Sequence, residues 1–462
     1  MRKRLELALA HEVALSDTRF GPHFASVRGF LSKQLIKHNL SGKHARSGGE
    51  TALQEGHNLR VLQVTPALNA GGVERTTLEI ADAISRAGGL ALVASAGGRL
   101  EPDLKAAGGE LIKLPLATKN PLQAIANAFA LARVIRKRRI AIVHARSRAP
   151  AWSAWIAAKL TGAHFVTTFH GIYNARSAPK RFYNSIMARG EAVIANSEYT
   201  REHVVHQFHI QPERVIAIPR GADLAVFDPA RFSPEAIAAQ RAAWGLGAND
   251  PRCVVIVPAR LTRWKGQMVM IEAAAELNKR RPGLMRVIFA GDAQGRSAYE
   301  SGMKSAISVA GLSEVASIVG HLGDMPLALA ASNIAVFPVI EPEAFGRGAV
   351  EAQAMGVPVI ASSLGGFTET IVENETGLLV PANASQELAA ALERLIDAGP
   401  EARRAMGAKG MARARAHYAI ATLQAATLAV YQQVLAGMRT PQAQGDVIDS
   451  AKERNDDSLA QN

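Results

Sequence analysis

The sequence predicts two doubly wound parallel α/β domains in tandem. From residue 58 onwards, short and continuously apolar segments alternate with helical segments. Strands that are apolar throughout and separated by helices are typical of a parallel sheet covered on both faces. The alternation runs through two series, and the stretch 220–249 joins them. A chain of 462 residues is also longer than one ordinary domain, so two domains are expected.

The first series, residues 58–223, predicts an N-terminal domain with about seven strands. Its strand segments are LRVLQVTPAL, LALVAS, ELIKLPL, IAIVHA, HFVTTFH, AVIANS and RVIAIP. The first strand leads into the glycine-opened helical segment GGVERTTLEIADAISRAGG, and the third leads into PLQAIANAFALARVIRKRR. Ligands of open α/β sheets bind beyond the carboxyl ends of the strands, so the loops that follow the strands are the candidate site.

The second series, residues 224–416, predicts a C-terminal domain of the same kind. Its strand segments are CVVIVPA, MRVIFAG, VASIVG, IAVFPV, VPVIAS and GLLVP. A short glycine-opened helix, Gly346 to Met355, is expected just before VPVIAS. Two such domains facing each other enclose a cleft. A last strong helix, TLQAATLAVYQQVLAGM, precedes residues 438–462, which are predicted to be disordered.

The composition excludes several classes of protein. An apolar content of 48% with 20% charged residues is typical of a soluble globular protein. The only cysteine, Cys253, stands inside CVVIVPA and is expected to be a buried core thiol. No stretch approaches the ~18 apolar residues of a membrane span. The N-terminus lacks the apolar segment of a secretory signal, so a cytoplasmic location is expected.

The positive charge is concentrated in the N-terminal half. Residues 58–225 carry 22 Lys and Arg against 11 Asp and Glu, within a chain whose net charge is +13. Such an imbalance favours an anionic partner: nucleic acid, an anionic membrane surface or an acidic substrate. A solvated basic face is the alternative. Residues 1–57 form an extension whose segment FASVRGFLSKQLIKH could be a basic amphipathic helix or poorly ordered.

The segment EPEAFGRGAVEAQAMGVPVIAS predicts an anion site. A helix that begins near Gly346 offers unpaired backbone N–H groups and the positive end of its dipole, which suit a phosphate. Glu343 stands just before this helix and Glu351 lies inside it. Carboxylates beside a phosphate site would accept hydrogen bonds from hydroxyl groups, as on a ribose or a sugar. The alternative is that Glu343 caps the helix and Glu351 is solvated.

Two further loops after strands carry candidate residues. PARLTRWKGQ places Arg260, Arg263 and Lys265 before a helix, and these cations suit phosphate oxygens. NAGGVERTT places Gly71 and Gly72 where a ligand can approach the backbone closely.

A last candidate residue is His170, which ends a strand in TFHG. Several usual signatures are missing: G-x-G-x-x-G, the P-loop, H-E-x-x-H, paired C-x-x-C, and a D-x-D at a strand end. No metal site is therefore expected, and protein cations would have to neutralise a bound diphosphate.

Taken together, these motifs resemble the retaining glycosyltransferases of family 4, which have the GT-B fold of two Rossmann-like domains facing each other across a cleft. The resemblance covers roughly residues 58–436. Its pieces occur in the order expected for the family: GGVE, TFHG, IANSEYT, IPRGAD, ARLTRWKGQ, IFAGDA, EPEAFGRGAVEAQAMGVPVIAS and GGFTETIVENETGLLVP. The family often has Asn at the position of Arg220, and the extension lies outside its pattern. A C-terminal helix, residues 417–437, is expected to pack back toward the N-terminal domain.

The resemblance implies a nucleotide-diphosphate sugar as donor, with no further cofactor and no metal. Arg260 and Lys265 would hold the diphosphate, assisted by backbone amides from Phe345 through Gly346 to Arg347. Glu351 would bind the ribose, and the backbone of residues 319–322 would meet the base.

The resemblance also implies which residues lie at the reaction. Glu343 would bind the transferred sugar. Gly71, Gly72 and His170 would lie on the acceptor side of the cleft, close to the reacting sugar of the donor. His170 and Glu343 are the candidate catalytic residues. A front-face mechanism is expected, in which the acceptor hydroxyl attacks from the side that the diphosphate leaves and a phosphate oxygen takes its proton.

The basic N-terminal half then favours a glycan or lipid-linked acceptor at an anionic membrane face, as in lipopolysaccharide core or envelope polysaccharide synthesis. The run Arg136–Arg139 could face that membrane, or it could complement a helix dipole. Rival hypotheses are a sugar-nucleotide epimerase on the same fold, a catalytically inactive scaffold and a basic nucleic-acid-binding protein. The last lacks interleaved aromatic residues, and no nucleic-acid partner is expected.

Overall fold

The computed structural model describes residues 59–69, 71–173 and 177–437. The predictions for the extension 1–57 and for residues 438–462 therefore lie outside the described residues. Within the described ranges, the strands form two parallel sheets, one of seven strands and one of six.

The first sheet has the strand order β3-β2-β1-β4-β5-β6-β7. Every neighbouring pair is parallel, with Val61 of β1 in register with Ala91 of β2 and Ile142 of β4. Burial explains why these segments are apolar throughout, since helices cover both faces of the sheet. The strands are β1 Arg60–Val64, β2 Leu90–Ser95, β3 Glu110–Lys113, β4 Ile142–Ala145, β5 His164–Phe169, β6 Ala192–Ala195 and β7 Val215–Ala217.

In the part of the chain that the structure describes, six α-helices alternate with these strands, and most begin with a recognisable signal. Asn120 caps α3 by accepting from the N–H of Leu122, and Ser197 caps α6 by accepting from the N–H of Thr200. The helices are α1 Gly72–Arg86, α2 Glu101–Ala106, α3 Pro121–Arg138, α4 Arg148–Thr161, α5 Ala178–Ser185 and α6 Glu198–Phe208.

The second sheet has the order β10-β9-β8-β11-β12-β13, again parallel throughout. Cys253 begins its central strand β8 and is a buried free thiol, as predicted; burial raises the pKa of that thiol to about 11. The strands are β8 Cys253–Pro258, β9 Met285–Ala290, β10 Ala316–Gly320, β11 Ile334–Phe337, β12 Val359–Ser362 and β13 Gly377–Val380.

The remaining helices follow in chain order. They are α7 Pro234–Ala243, α8 Gln267–Arg280, α9 Ser297–Val309, α10 Met325–Ala330, α11 Arg347–Ala354, α12 Phe367–Thr370, α13 Ser385–Asp397, α14 Gly399–His417 and α15 Ile420–Leu435. Helix α15 packs against α1, and its side chains Leu423, Val430 and Tyr431 join the core of the first sheet. None of the helices that the structure describes is both long enough and apolar enough to span a membrane.

Each sheet reverses its strand order beside its first strand, and these reversals position the site. In the first sheet β1 lies between β2 and β4, and in the second β8 lies between β9 and β11. Open α/β sheets bind ligands at such reversal points, beyond the carboxyl ends of the strands. The loop after β1 therefore lies beside the loop after β4 in the first sheet. The loop after β8 likewise lies beside the loop after β11 in the second sheet.

The chain crosses between the two sheets at Ala222 and returns at Ala419. The two crossings pair in parallel: the N–H of Ala222 donates to the carbonyl of Tyr418 at 2.7 Å, and the N–H of Ile420 donates to the carbonyl of Ala222 at 3.3 Å. Gly221 is glycine because a Cβ there would stand 2.6 Å from the Cα of Ile420. A small apolar cluster that includes Phe345, Val350 and Tyr418 surrounds these crossings.

Candidate active site

The loop after β8 presents the cations that the sequence singles out. Arg260 is exposed, and its Nη1 donates to Oε1 of Gln294 at 3.5 Å. Lys265 ends a short 3₁₀ helix, and its Nζ lies 4.3 Å from the ring centroid of Trp264. Gly266 then takes a positive φ of 73° to begin α8, where a Cβ would collide with the carbonyl of Pro338. The turn therefore fixes the direction in which Lys265 points.

Lys265 and Glu343 form an ion pair across the carboxyl end of the second sheet. Both side chains are mostly buried, with 16% and 18% of their surface exposed. The carbonyl of Glu343 accepts from the N–H of Gly366, which holds the loop after β11 in place. The sequence prediction assigned Lys265 to the diphosphate and Glu343 to the sugar, and the structure puts the two side chains in direct contact.

The helix α11 begins after a glycine, Gly346. Gly346 has φ 80° and precedes the helix, and no side chain caps it. A Cβ on Gly346 would stand 2.6 Å from the ring of Phe367. Phe345 beside it is buried and packs edge-on against Tyr418, with ring centroids 5.6 Å apart. The helix start is thus held in place by packing, and the residue that precedes it has no side chain with which to cap the first amides.

Arg347 links this helix to the first domain. Its Nε donates to Oε1 of Glu351 at 2.8 Å within α11. Its Nη1 lies 3.8 Å from Oε1 of Glu79 on α1. Burial raises the pKa of both carboxyls, while the charge of Arg347 opposes that rise. One guanidinium therefore holds two buried carboxylates from opposite sides of the cleft.

The loop after β1 forms the facing wall. Gly71 has φ 136° and ψ 175°, a conformation that only glycine adopts readily, and it precedes α1 without a side-chain cap. A Cβ on Gly72 would stand 3.0 Å from Cζ of Arg220, so the guanidinium of Arg220 lies against this glycine. Arg220 is buried enough that its pKa falls to about 10, although it stays charged at neutral pH.

His170 follows β5 and is paired with Arg220. Its Nδ1 lies 2.7 Å from Nη2 of Arg220. Burial, followed by the charges of Arg220 and Arg146, holds the pKa of His170 well below its ordinary value of 6.5. His170 is therefore a neutral imidazole at physiological pH.

A buried layer supports this wall from behind. Arg146 follows β4 and donates from Nε to Oε1 of Gln63 at 2.9 Å. His144 on β4 contacts the hydroxyl of Tyr431 through Nδ1 at 2.6 Å and the hydroxyl of Thr168 through Nε2 at 2.7 Å. Tyr431 belongs to α15, so the C-terminal end of the chain completes the packing behind the site.

A second contact between the domains lies at the start of α6. The hydroxyl of Ser197 donates to the carbonyl of Ala344 at 2.5 Å. The carboxylate of Glu369, on α12, accepts from the N–H of Glu198 at 2.9 Å and from the N–H of Tyr199 at 2.6 Å. A side chain of the second domain therefore satisfies the free amides of a helix in the first.

The structure brings most of the predicted residues to one cleft. Lys265 and Glu343 touch, Glu351 and Arg347 touch, and His170 lies beside Gly72 through Arg220. The charge of Glu343 also acts on Arg220, so the two halves of the site converge. Arg260 lies exposed on the same loop as Lys265. The segment 319–322 ends β10 and begins the next loop, at the carboxyl edge of the second sheet.

Sequence reasoning missed Glu79, Arg146 and Glu369 as parts of this site. Glu79 could have been found, because it is a charge on the buried face of α1, between Thr76 and Ala83. Arg146 could also have been found, because it is a cation that directly follows a strand. The same position after a strand was the reason for choosing His170. Arg220 was recognised only as a departure from the family pattern. Nothing local to α12 indicates the role of Glu369, since its partners belong to the other domain.

Comparison with known proteins identifies the family. Residues 70–226 match the family model Glycosyltransferase Family 4, and residues 239–413 match the model Glycosyl transferases group 1. The D-inositol 3-phosphate glycosyltransferase of Arthrobacter sp. strain FB24 is 33% identical over 218 residues, which are 46% of this chain and 49% of that protein. That of Kineococcus radiotolerans is 30% identical over 264 residues, 54% of this chain and 59% of that protein. The matched region thus spans about half the length of these curated relatives.

Solved structures extend the likeness to the whole fold. A glycosyltransferase from Rickettsia africae ESF-5 is 33% identical with a TM-score of 0.76, covering 82% of this chain and 99% of that one. HepE of Anabaena, solved in complex with UDP-glucose, is 24% identical with a TM-score of 0.69, covering 81% and 99% of the two chains, and shares the fold. The predicted fold and family are both confirmed: the chain belongs to the group 1, family 4 glycosyltransferases, and its two parallel α/β domains face each other in the GT-B fold.

Proposed function

We propose that the chain transfers a sugar, with retention of anomeric configuration, from a nucleotide-diphosphate sugar to an anionic glycan or lipid-linked acceptor. The observation that carries this proposal is the contact between Lys265 and Glu343 at the carboxyl edge of the second sheet. In a nucleotide-diphosphate sugar, the distal phosphate is bonded directly to the sugar. A cation for the phosphate and a carboxylate for the sugar hydroxyls must therefore be neighbours, as these two side chains are.

The remaining donor contacts follow from the geometry around that pair. Arg260 would bind the second phosphate, and the amides at the start of α11 would bind phosphate oxygens. Glu351 would accept from the ribose hydroxyls while Arg347 holds it in place. These protein cations would neutralise the diphosphate, which is the reason for proposing a transfer without a metal. The name of HepE, solved with UDP-glucose, makes UDP-glucose a sensible first donor to test.

The mechanism that suits this cleft is a front-face transfer. The acceptor hydroxyl would attack from the side that the diphosphate leaves, and a phosphate oxygen would take its proton. The protein then contributes positioning and stabilisation of charge on the leaving diphosphate. His170 is neutral, so it would donate a hydrogen bond to substrate oxygens and not act as a cation.

The acceptor is proposed from the charge of the first domain. Arg75, Arg146 and Arg220 belong to the first domain, and among the described residues of that domain Glu79 is the carboxylate whose charge acts on Arg220. An acceptor with a phosphate near its reacting hydroxyl fits this excess of positive charge. Two kinds of acceptor meet this requirement. The relatives named D-inositol 3-phosphate glycosyltransferase suggest a polyol phosphate as the acceptor. The sequence-based expectation of envelope glycan synthesis suggests a larger phosphorylated or lipid-linked glycan.

Contact with an anionic membrane would accompany a lipid-linked acceptor. The run Arg136–Arg139 ends α3, and two of its side chains already have partners within the chain: Arg138 donates to Glu110 at 2.6 Å and Arg136 to the carbonyl of Leu160 at 2.9 Å. The membrane role proposed for this run therefore falls mainly on Lys137 and Arg139, which are exposed.

Calorimetric titration of the purified protein with UDP-, GDP- and ADP-sugars tests the donor half. One donor is expected to bind at micromolar strength. Lys265→Ala should weaken that binding by about tenfold or more, because a charged contact to phosphate is lost. Glu343→Ala should bind the free nucleotide like the wild type but lose the preference for the nucleotide sugar. Lys304→Ala, in the exposed ion pair with Glu300 on α9, is the matched control and should bind normally.

Release of free nucleotide tests the acceptor half and the epimerase alternative. A transferase releases nucleotide only when an acceptor is added, whereas an epimerase converts the donor without one. We expect release with either a polyol phosphate or a phosphorylated glycan, and the preferred one defines the acceptor class. Conversion of the donor sugar in the absence of any acceptor would overturn the transferase proposal, as would failure of every nucleotide sugar to bind.

A further inference from the structure

The contact between Arg220 and His170 determines which ring nitrogen of His170 carries a proton. Nη2 of Arg220 lies 2.7 Å from Nδ1 of His170. A guanidinium has only N–H donors and no acceptor, so Nδ1 of the imidazole must be the acceptor. An imidazole that accepts at Nδ1 can hold its single proton only at Nε2. The geometry therefore selects one of the two neutral tautomers.

The surroundings of His170 keep the ring neutral. Burial lowers its pKa most, and the charges of Arg220 and Arg146 lower it further. Arg220 remains a cation at neutral pH because its own pKa falls only to about 10. The other ionisable groups that act on this pair, from every element around it, are His144 on β4, Tyr173 after β5, Glu79 on α1, and Arg347 and Glu343 from the second domain.

Two polar atoms of this pair have no partner within the described ranges. Nε2 of His170 and Nε of Arg220 are both buried, and neither makes a hydrogen bond there. Buried donors are nearly always paired in proteins, and an unpaired one at a cleft indicates a group that a ligand satisfies. The guanidinium of Arg220 itself lies against Gly72, so the pair stands beside the loop after β1.

We propose that Arg220 is a positioning residue: by donating to Nδ1 it holds His170 as the tautomer whose Nε2–H donates a hydrogen bond to an oxygen of the sugar substrates. This inference rests on the proposed function. No proton is transferred in this role, because His170 acts as a donor of fixed direction. Without Arg220 the ring could turn over or take the other tautomer, and it would then present a lone pair to the substrate oxygen.

Nitrogen-15 NMR of histidine-labelled protein tests the tautomer directly. The His170 signal is assigned by its loss in His170→Gln. In the wild type we expect a pyridine-type Nδ1 and a pyrrole-type Nε2, unchanged between about pH 6 and 8. In Arg220→Met, which keeps the length of the side chain but not its donors, we expect a mixture of tautomers and a ring that begins to protonate in that range. Arg220→Lys, which keeps a donor and a charge, should restore the wild-type signals.

Kinetics show whether the tautomer matters for turnover. Arg220→Met should lower kcat by about tenfold to a hundredfold, the range expected for one hydrogen bond aimed at a reacting substrate. Its donor KM should change less than about threefold, since the contacts proposed for the nucleotide and the diphosphate lie in the second domain. Its activity should also become dependent on pH below about 7, and Arg220→Lys should recover much of the kcat. Arg281→Met, in an exposed ion pair with Asp397, is the control for loss of an arginine and should behave like the wild type.

The outcomes separate this inference from the proposed function. A wild-type His170 that is protonated, or that carries its proton at Nδ1, overturns the role of Arg220 even if the protein transfers sugar. An Arg220→Met protein with the wild-type NMR signals, or with full kcat, overturns it too. If no nucleotide sugar binds to any variant, the proposed function fails. The proposal that Nε2–H of His170 donates to a sugar substrate then fails as well. The NMR spectrum still shows which tautomer of His170 is present and whether Arg220 determines it.

Discussion

At the scale of single residues, Gly72 shows how closely the side chain of Arg220 approaches the start of α1. The guanidinium of Arg220 lies against its Cα, and a Cβ there would stand 3.0 Å from Cζ of that side chain. Gly72 is the first residue of α1 and does not need a positive φ. The glycine is therefore required by the approach of Arg220 and not by the conformation of the backbone.

We expect Gly72→Ala to fold and to lose activity. The added methyl group must displace the guanidinium of Arg220 from His170, and kcat should fall by about tenfold, as for loss of one positioning hydrogen bond. Thermal unfolding and turnover of the purified variant are the measurements. Gly302→Ala, within α9, is the matched control: no atom of the described residues lies within 4 Å of its Cβ, and the change should stabilise the helix by up to about 1 kcal/mol with normal turnover. Equal kcat values for the two variants would contradict the role given to this contact.

The residues that the sequence identified are those with a local signal. Lys265 and Glu343 stand in loops whose glycines and apolar strands mark them as strand ends, and the structure places them at the cleft. Arg220 and Glu79 gave weaker signals, because their importance depends on the neighbours that the fold supplies. Glu79 acquires its partner, Arg347, from a helix more than 260 residues away in sequence, and no local pattern encodes that approach.

At the scale of elements, the strands could be predicted and their order could not. Every predicted strand segment contains an observed strand, because parallel strands buried on both faces must be apolar along their whole length. Placing β1 between β2 and β4 is what brings the end of β1 beside Arg146, whose N–H donates to the carbonyl of Val64 at 3.0 Å, and this order is a property of the assembled sheet. Helix ends differed by a few residues: the predicted Gly346–Met355 helix begins at Arg347 and ends at Ala354.

The start of α6 depends on a carboxylate from the other domain. Glu369 accepts from the N–H groups of Glu198 and Tyr199, which have no partner of their own in the first turn of a helix. Burial raises the pKa of Glu369, and the two N–H groups oppose that rise. A helix cap that normally belongs to one domain here connects two.

We expect Glu369→Ala to destabilise the protein by about 1–2 kcal/mol, the usual loss for a removed helix cap. Glu369→Gln should lose less, since its amide oxygen can still accept. Hydrogen exchange of the amides of Glu198 and Tyr199 should become faster in Glu369→Ala, although the substitution lies in the second domain. Asp324→Ala removes a cap of α10 within one domain and should leave those two amides unchanged. Equal protection of the α6 amides in both variants would show that the contact does not form in solution.

At the scale of the whole molecule, two buried neutral histidines couple stability to pH. His144 and His170 both have pKa values well below 6.5 because burial disfavours the charged ring. In the unfolded chain they protonate near pH 6.5, so the unfolded state binds more protons below that pH. Stability should therefore fall as the pH drops below about 6.5. The buried carboxyls Glu79 and Glu351 have raised pKa values and act in the opposite direction, nearer their ordinary value of 4.5.

The contribution of His170 can be isolated with His170→Asn. Near pH 8 the imidazole of His170 is neutral in both the folded and the unfolded protein. The difference in free energy of unfolding between variant and wild type then reflects packing alone. Between about pH 6 and 5 the wild type should lose up to about 1.4 kcal/mol more stability per pH unit than the variant, the value for one proton. Urea unfolding at three pH values measures this. If the free energy of unfolding changes with pH in the same way for both proteins, His170 is accessible to protons in the folded state.

The paired crossings at Ala222 and Ala419 have a mechanical consequence. Two domains joined by one strand could both bend and swivel about it, but two strands hydrogen-bonded side by side resist the swivel and leave bending as the easier rotation. Arg220 stands two residues before this axis, and its guanidinium reaches back to His170 in the first domain. Any bending at Gly221 that separates the domains therefore acts on the segment that carries Arg220. The joint between the two domains therefore also carries the group that we propose orients His170.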